Sequence, residues 1–405
     1  KYLKVRGSYG EVGNDQIGGD RFLYLPSSYG AASDSGVNKY NFGLASNPYT
    51  SLMIVENKIG NPDLTWEKAK KMNVGVDINL FNNCLTASFD IFKEKRNNIL
   101  ANRSTSPMII GANLPAYNFG EMENRGWEMD LNFRHHIQDF HYWARFNYSF
   151  ARNEIIYMDE VQKRYDYQMT TGRRKNQFFG LIFDGYYNSW EEINALDRPK
   201  SSWSGNQLQP GDVKYVDVNQ DGVIDDYDMV PIGYTPVPEI IYGFSFGAQY
   251  KGFDFSILFQ GADNVSIKYF GRSMWPFAKG EESAKSLIKE RWTQERYEAG
   301  EKITFPRLSL NPNGETDHNY RPSTLWIRDA SYLRLKNLEV GYTFTGGFVK
   351  RLNLNSVRLY FNGSNLFTWT DVVDLDPEAP SRSGNVEINT YPLQKVYNIG
   401  LNINF

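Results

Sequence analysis

Ten stretches of this chain alternate apolar and polar residues with a period of two, the spacing of an extended strand that has one face in a nonpolar medium and the other in water. The last is the clearest. Tyr397, Ile399, Leu401, Ile403 and Phe405 share one face, while Asn398, Gly400, Asn402 and Asn404 share the other. The first, over about residues 2–12, sets Leu3, Val5, Gly7 and Tyr9 against Lys4, Arg6 and Ser8. A second, near 66–81, sets Val74, Val76, Ile78 and Leu80 against Asn73, Gly75, Asp77 and Asn79. Three more carry Leu85, Ala87, Phe89 and Ile91, then Trp127, Met129, Leu131 and Phe133, then Tyr142, Ala144, Phe146, Tyr148 and Phe150. After a long gap come Tyr242, Phe244, Phe246, Ala248 and Tyr250, followed by Phe253, Phe255, Ile257 and Phe259. The eighth stretch changes phase, from Leu333 and Leu335 to Leu338, Val340, Tyr342 and Phe344, which predicts a β-bulge near Lys336 and Asn337. Val357, Leu359 and Phe361 mark the ninth.

The connections sort by length. Tight turns are predicted at Asn82-Asn83 (two residues), near Gln138 and at Lys251-Gly252, where Asn and Gly accept positive φ. Connections after the odd-numbered strands are mostly long, including a Gly, Ser and Asn-rich loop up to about Glu56 and inserts over 159–237 and 270–323. In the second insert Ala284, Leu287, Ile288 and Trp292 recur at helical spacing, which predicts a short amphipathic helix. Short turns at one end and long loops at the other predict a transmembrane antiparallel up-and-down β-barrel, all-β, with its long loops outside the cell. Residues such as Arg145, Asn147 and Ser149, or Ser245, Gly247 and Gln249, then line the lumen. Taken singly, any of these strands also fits the half-buried edge of a soluble β-protein.

Composition supports the membrane reading. Aromatic residues make up 15% of 405 residues, with 27 Tyr and 26 Phe, more than an ordinary core uses, and interfacial girdles would absorb them. Mean hydropathy is -0.54 and apolar runs are short, so no helix is expected to span a bilayer. A net charge of -3 without a basic cluster argues against nucleic acid as a partner. The single Cys84 cannot form an intrachain disulfide. Lys1 enters what reads as mid-strand, so an upstream region is expected.

Several runs resemble the SusC/RagA family of TonB-dependent outer-membrane transporters of Bacteroidetes. They are Asn61-Pro62-Asp63-Leu64-Thr65-Trp66-Glu67, Arg291-Trp292-Thr293 followed by Phe305-Pro306-Arg307-Leu308, the run Asp329 to Asn337, Asp376-Pro377-Glu378, and the terminal Gly400 to Phe405. Thr345, where the family often turns with Pro, is a departure confined to one turn. The resemblance implies that residues 1–405 are the C-terminal portion of a barrel of about 22 strands, some ten of them here. It also implies an N-terminal barrel and plug portion elsewhere, TonB acting through that portion, and a SusD-like surface lipoprotein as partner. The implied function is nutrient import of oligosaccharide or peptide, without enzyme activity, in the outer membrane of a Gram-negative cell.

One stretch suggests chemistry of its own. Residues 217–228, Asp217 to Asp228, match a calcium loop, with oxygen donors at positions one, three and five, Gly222 at six and an acid at twelve. Asp217, Asn219, Asp221, the Val223 carbonyl, Asp225 and Asp228 are the candidate Ca2+ ligands, although Asp228 stands where Glu is usual; the other reading is an Asx-turn-rich loop without metal. Trp190, Trp203 and Trp275 are candidate substrate-contact residues, since indole faces stack on sugar rings or peptide side chains; the alternative is that they fill the packed loops. His135, His136 and His141 fall by a short turn and His318 in a far insert, which predicts interfacial or solvated histidines. Glu191-Glu192 and Glu281-Glu282 read as solvated or helix-start charges. A calcium-dependent adhesin or carbohydrate-binding β-protein is the competing function.

Overall fold

The structure, a computed structural model, describes residues 2–15, 23–25, 30–31, 39–44, 49–55, 59–105, 114–203, 208–270, 274–277, 286–309, 318–373, 375–378, 385–386 and 393–405. Its main feature is a ten-stranded antiparallel sheet in which every strand pairs with its neighbours in sequence. The strands are β1 (Tyr2–Asn14), β2 (Glu67–Leu80), β3 (Leu85–Ala101), β4 (Tyr117–Ile137), β5 (Phe140–Tyr157), β6 (Ile240–Tyr250), β7 (Phe253–Asp263), β8 (Tyr332–Phe344), β9 (Ser356–Thr370) and β10 (Val396–Asn404). All ten predicted strands are present. This meander is the wall of an up-and-down barrel, with no strand of the described residues on the outer edges of β1 and β10.

Register shows why alternation succeeded. Across the sheet, Leu3, Ile78, Ala87, Leu131, Phe146, Phe244, Phe259, Leu335 and Phe367 are successive cross-strand partners, a row without a single polar side chain. The adjacent row on the opposite face reads Lys4, Asp77, Ser88, Asp130, Asn147, Gly243, Gln260, Arg334 and Thr368. A one-residue slip would exchange the two media for a whole strand, so register is strongly fixed. Among the described residues no second sheet covers the apolar face: Phe244 and Tyr250 are exposed, and none of the β6 aromatics belongs to the buried core. Aromatic rings gather toward its two ends, Phe140, Tyr142, Tyr250, Tyr342 and Phe344 near the short turns, Trp127, Tyr148, Tyr242 and Trp369 toward the long connections. That arrangement matches the two interfaces of a bilayer.

Turns mostly follow expectation. Lys251 and Gly252, at φ 45° and 87°, close the β6–β7 hairpin, and Gln138, at φ 53°, begins the β4–β5 turn. The β2–β3 turn differs: it has four residues, Phe81 to Cys84, because Phe81 joins Asn82 and Asn83 in the left-handed region and Leu80 and Leu85 form the last pair. The predicted bulge is at Lys336, which both neighbouring strands skip in their pairing. The predicted helix in the second insert is instead a short 3₁₀ segment, Ser286–Glu290. Trp292 lies beyond it, buried, with its N–H bonded to the Phe305 carbonyl at 2.7 Å, because a parallel bridge pulls Arg291 against Phe305. Ala284, Glu281 and Glu282 lie outside the described residues.

The hydrophobic core sits in the long connections. Leu181, Val213 and Ile224 from the β5–β6 insert pack with Ile267, Trp275, Trp292, Phe305, Tyr320 and Trp326 from the β7–β8 insert and with Val372 after β9. These three connections form one dome on the long-loop end. Short helices decorate it, α1 (Trp190–Asn194) and α2 (Gln294–Glu298), whereas α3 (Gly347–Arg351) lies in the β8–β9 turn at the other end.

Candidate functional site

The polar face of the wall holds its charges in guanidinium-centred groups. Arg6 bonds Asp77 at 2.9 Å and Asp90 at 2.8 Å, with Ser88 also accepting. Arg358 bridges Asp254 and Glu339. Arg334, 2% exposed, reaches Asp376 at 2.7 Å, while the Tyr332 hydroxyl donates to Glu378 at 2.6 Å and Thr368 accepts from Arg334 Nε. Charges paired in this way suit a water-filled interior and would be costly against lipid.

The dome is fastened where its two large inserts meet. His318 Nε2 lies 2.7 Å from the Val213 carbonyl, and the Ser201 hydroxyl lies 2.8 Å from Nδ1. A carbonyl only accepts, so in the neutral ring Nε2 carries the proton and Nδ1 accepts from Ser201. Asn319 completes the joint, accepting from the Val213 N–H at 2.9 Å and donating to Asp212 at 2.7 Å. Arg307 pairs with Asp212 at 2.6 Å. Gly211, at φ 93°, lets the chain pass beneath Trp292, whose ring would lie 2.4 Å from any added Cβ. His318 is therefore buried, not solvated as expected, because its ring is fully used in joining the inserts. By contrast His136 and His141 are exposed cross-strand partners beside the short turn, with ring centroids 5.5 Å apart.

Residues 217–228 form a tight loop whose side chains accept from its own backbone. Asp217 takes the N–H groups of Gln220 and Gly222, Asn219 that of Asp221, Asp221 that of Val223, and Asp225 that of Tyr227. Gly222 has φ 80°, the sharp bend expected at position six. Asp228 is fully buried and accepts from Val218, Asn219 and Asp225. Burial raises its carboxyl above the ordinary range and the charge of Asp217 adds to this, although the amide bonds oppose them. The donor set consists of hard oxygens, as calcium requires. Among the described residues, however, no three His, Cys, Asp or Glu side chains converge as a metal cluster.

The three tryptophans separate. Trp190 is 55% exposed on α1, whose N-cap Ser189 accepts from the Glu192 N–H, so Glu191 and Glu192 are helix-start charges. Trp203 is half-buried against the core, with the Arg321 guanidinium 4.0 Å above its ring. Trp275 is 3% exposed, wedged among Phe270, Tyr320 and Trp326, and has no free face for a ligand. A cavity of about 340 Å³ opens beside Glu94, Arg96, Glu123, Arg174 and Glu239, and another of about 460 Å³ beside Tyr269, Phe305, Trp326 and Arg328. Glu239, 5% exposed, accepts from Arg152, at 2.8 Å, and from Arg174. The Glu239 group and the Asn319 joint were not foreseen. The Arg334 group joins two runs quoted for the resemblance, Asp329 to Asn337 and Asp376-Pro377-Glu378, and Arg307 lies in a third.

A meander with an apolar outer face, an ion-paired inner face and all its long connections at one end defines the wall of an outer-membrane barrel. Residues 1–366 match the family model described as TonB dependent receptor-like, beta-barrel, and the chain belongs to that family. It is 28% identical over 421 residues to TonB-dependent receptor P3 of Formosa agariphila, covering 99% of this chain and 39% of that protein. TonB-dependent receptor SusC of Bacteroides thetaiotaomicron is 26% identical over 409 residues, covering 100% of this chain and 37% of SusC. A solved structure of the RagAB peptide transporter superposes with a TM-score of 0.71 at 23% identity, over 100% of this chain and 41% of that one, which shows the fold. The chain thus spans about two fifths of the length of these relatives. Its place is the outer membrane.

Proposed function

We propose that this chain is the C-terminal barrel wall and surface dome of a TonB-dependent nutrient importer that takes up oligosaccharides or peptides together with a SusD-like lipoprotein. The carrying observation is the pairing of an ion-lined inner face with a dome, packed around one hydrophobic core, over the long-loop end. Such a dome offers a fixed rim for a capping partner and walls for a binding cavity. Trp190 is the one candidate among the three tryptophans that keeps an open ring for a sugar or side chain. The relative named SusC supports the class, and the likeness in fold to the RagAB peptide transporter agrees with it. The test is uptake of labelled oligosaccharide and peptide pools by cells with and without the gene, each with and without a protonophore. Loss of energy-dependent uptake of one pool on deletion is expected; unchanged uptake of both would refute import.

We also propose that Asp217, Asn219, Asp221, the Val223 carbonyl and Asp225 hold a structural Ca2+. Asp228 closes the loop by accepting backbone N–H groups, which makes it the weakest of the six expected ligands.

A further inference from the structure

The outward face changes character at the long-loop end of β3, β4 and β5. Its last apolar row is Ile91, Trp127 and Phe150, successive partners across the three strands, with Trp127 stacked on Tyr148 at 4.8 Å. The next row on the same face is Lys93, Arg125 and Arg152, and the one after reads Lys95, Glu123 and Glu154. Three cations abreast repel one another across a sheet. The chain's own carboxylates answer this unevenly. Arg152 is held by buried Glu239. Lys93 meets Glu123 and Lys95 meets Glu121, both at 2.9 Å, yet the two lysines stay 52% and 43% exposed. Arg125 is 60% exposed, with Glu154 no nearer than 3.9 Å.

We propose that Lys93, Lys95 and Arg125 seat the phosphate of a phosphorylated glycolipid of the outer leaflet, with its acyl chains lying along Ile91, Trp127 and the apolar rows beneath. Adjacent rows on one face lie about 7 Å apart along a strand, so the cations stand one step above the aromatic belt, at headgroup level. Guanidinium and ammonium groups are the side chains that bind phosphate oxygens. The greasy face continuous with them selects a lipid over a free anion, because only a lipid covers both surfaces.

The test uses the whole transporter, purified in detergent, with thermal unfolding followed against added phosphorylated lipid A, the same lipid dephosphorylated, and inorganic phosphate. The phosphorylated lipid is expected to raise Tm and the other two to have little effect. Lys93→Gln with Arg125→Gln is expected to weaken the apparent affinity at least about tenfold, as loss of two phosphate contacts would. Glu154→Gln, which removes a competing carboxylate without touching the cations, is expected to strengthen it. An equal response to dephosphorylated lipid, or an unchanged response in the double variant, overturns the proposal. So does a matching response to inorganic phosphate, which would mark a free-anion site.

Discussion

Arg334 and Asp376 lie 42 residues apart in sequence and 2.7 Å apart in space, with the guanidinium 2% exposed. This pair ties the connection after β9 to the inner face of β8, and the Leu393 N–H bonded to Asp376 ties the returning chain as well. Removing one partner of a buried pair strands the other charge, at a cost of about 3 to 5 kcal/mol. Glu378 remains to share Arg334, so Asp376→Asn should cost at or below about 3 kcal/mol. Hydrogen exchange should show lost protection at 375–378 and 393–395, with β1 to β5 unchanged. Uniform protection across the chain would mean the tie is not what holds this connection.

Phe246 and Gln249 occupy the same strand on opposite faces. Phe246 lies between Ala144 and Ile257 on the apolar side, whereas Gln249 lies between His141 and Asp254. Phe246→Arg should destabilise the barrel by roughly 2 to 4 kcal/mol, and Gln249→Arg should be tolerated. Heat-modifiability of the folded band in detergent reads both. Equal behaviour would argue against lipid on the apolar side.

The strands were legible because each must satisfy two media at once, and the change of phase from Leu335 to Leu338 gave away the bulge at Lys336. The dome was not legible in the same way. Its core joins Leu181, Trp292 and Val372 from three separate connections, and no local period announces contacts at such separation. Leu287, Ile288 and Trp292 looked helical because spacing alone cannot see the parallel bridge from Arg291 to Phe305 that takes Trp292 elsewhere. His318 looked solvated for a similar reason: its partners, Ser201 and Val213, are more than 100 residues upstream. The calcium-type loop was readable as a loop, since its turns are local, but the sequence did not show Asp228 folded inward.

That joint predicts its own mutant. His318→Ala removes the bonds to the Val213 carbonyl and from the Ser201 hydroxyl inside the dome, each costing about 1 to 3 kcal/mol when a buried group loses its partner. Limited proteolysis should then cut between the two inserts while the strands stay protected. Asn319→Ala should act alike, through Val213 N–H and Asp212, and the double variant should be less than additive because the residues share one joint.

Acid should loosen the dome within a defined window. Burial would raise the carboxyls of Glu239 and Asp376, but hydrogen bonds from Arg152 and Arg174 to the first, and from Arg334 to the second, hold both below their ordinary values. A carboxyl depressed by folding contributes stability that is complete above its unfolded pKa, about 4, and lost as pH falls through the folded value. Protection around 235–239 and 375–378 should therefore be the same at pH 7 and pH 5.5 and fall only below about 4. Loss already at pH 5.5 would show that these pairs do not govern it.

Residues 217–228 have the opposite sign, which makes the proposed Ca2+ testable without measuring uptake. In the structure Asp228 is raised by burial and by the charge of Asp217, so the folded loop holds a proton more tightly than the unfolded chain does. Without metal, stability of 217–228 should therefore rise as pH falls from neutral through that raised value. A bound Ca2+ adds positive charge beside Asp217 and Asp221, stabilises their ionised forms and reverses the trend, so that acid releases the ion and loosens the loop. Hydrogen exchange of the loop at pH 7 and pH 5, with calcium and with chelator, separates the two cases. Protection at pH 7 is expected to drop on chelation and to recover in part as the pH is lowered, and Asp221→Ala should reproduce the chelated pattern with calcium present. Protection that ignores both chelator and Asp221→Ala would leave 217–228 as a set of self-bonded Asx turns that orders without an ion.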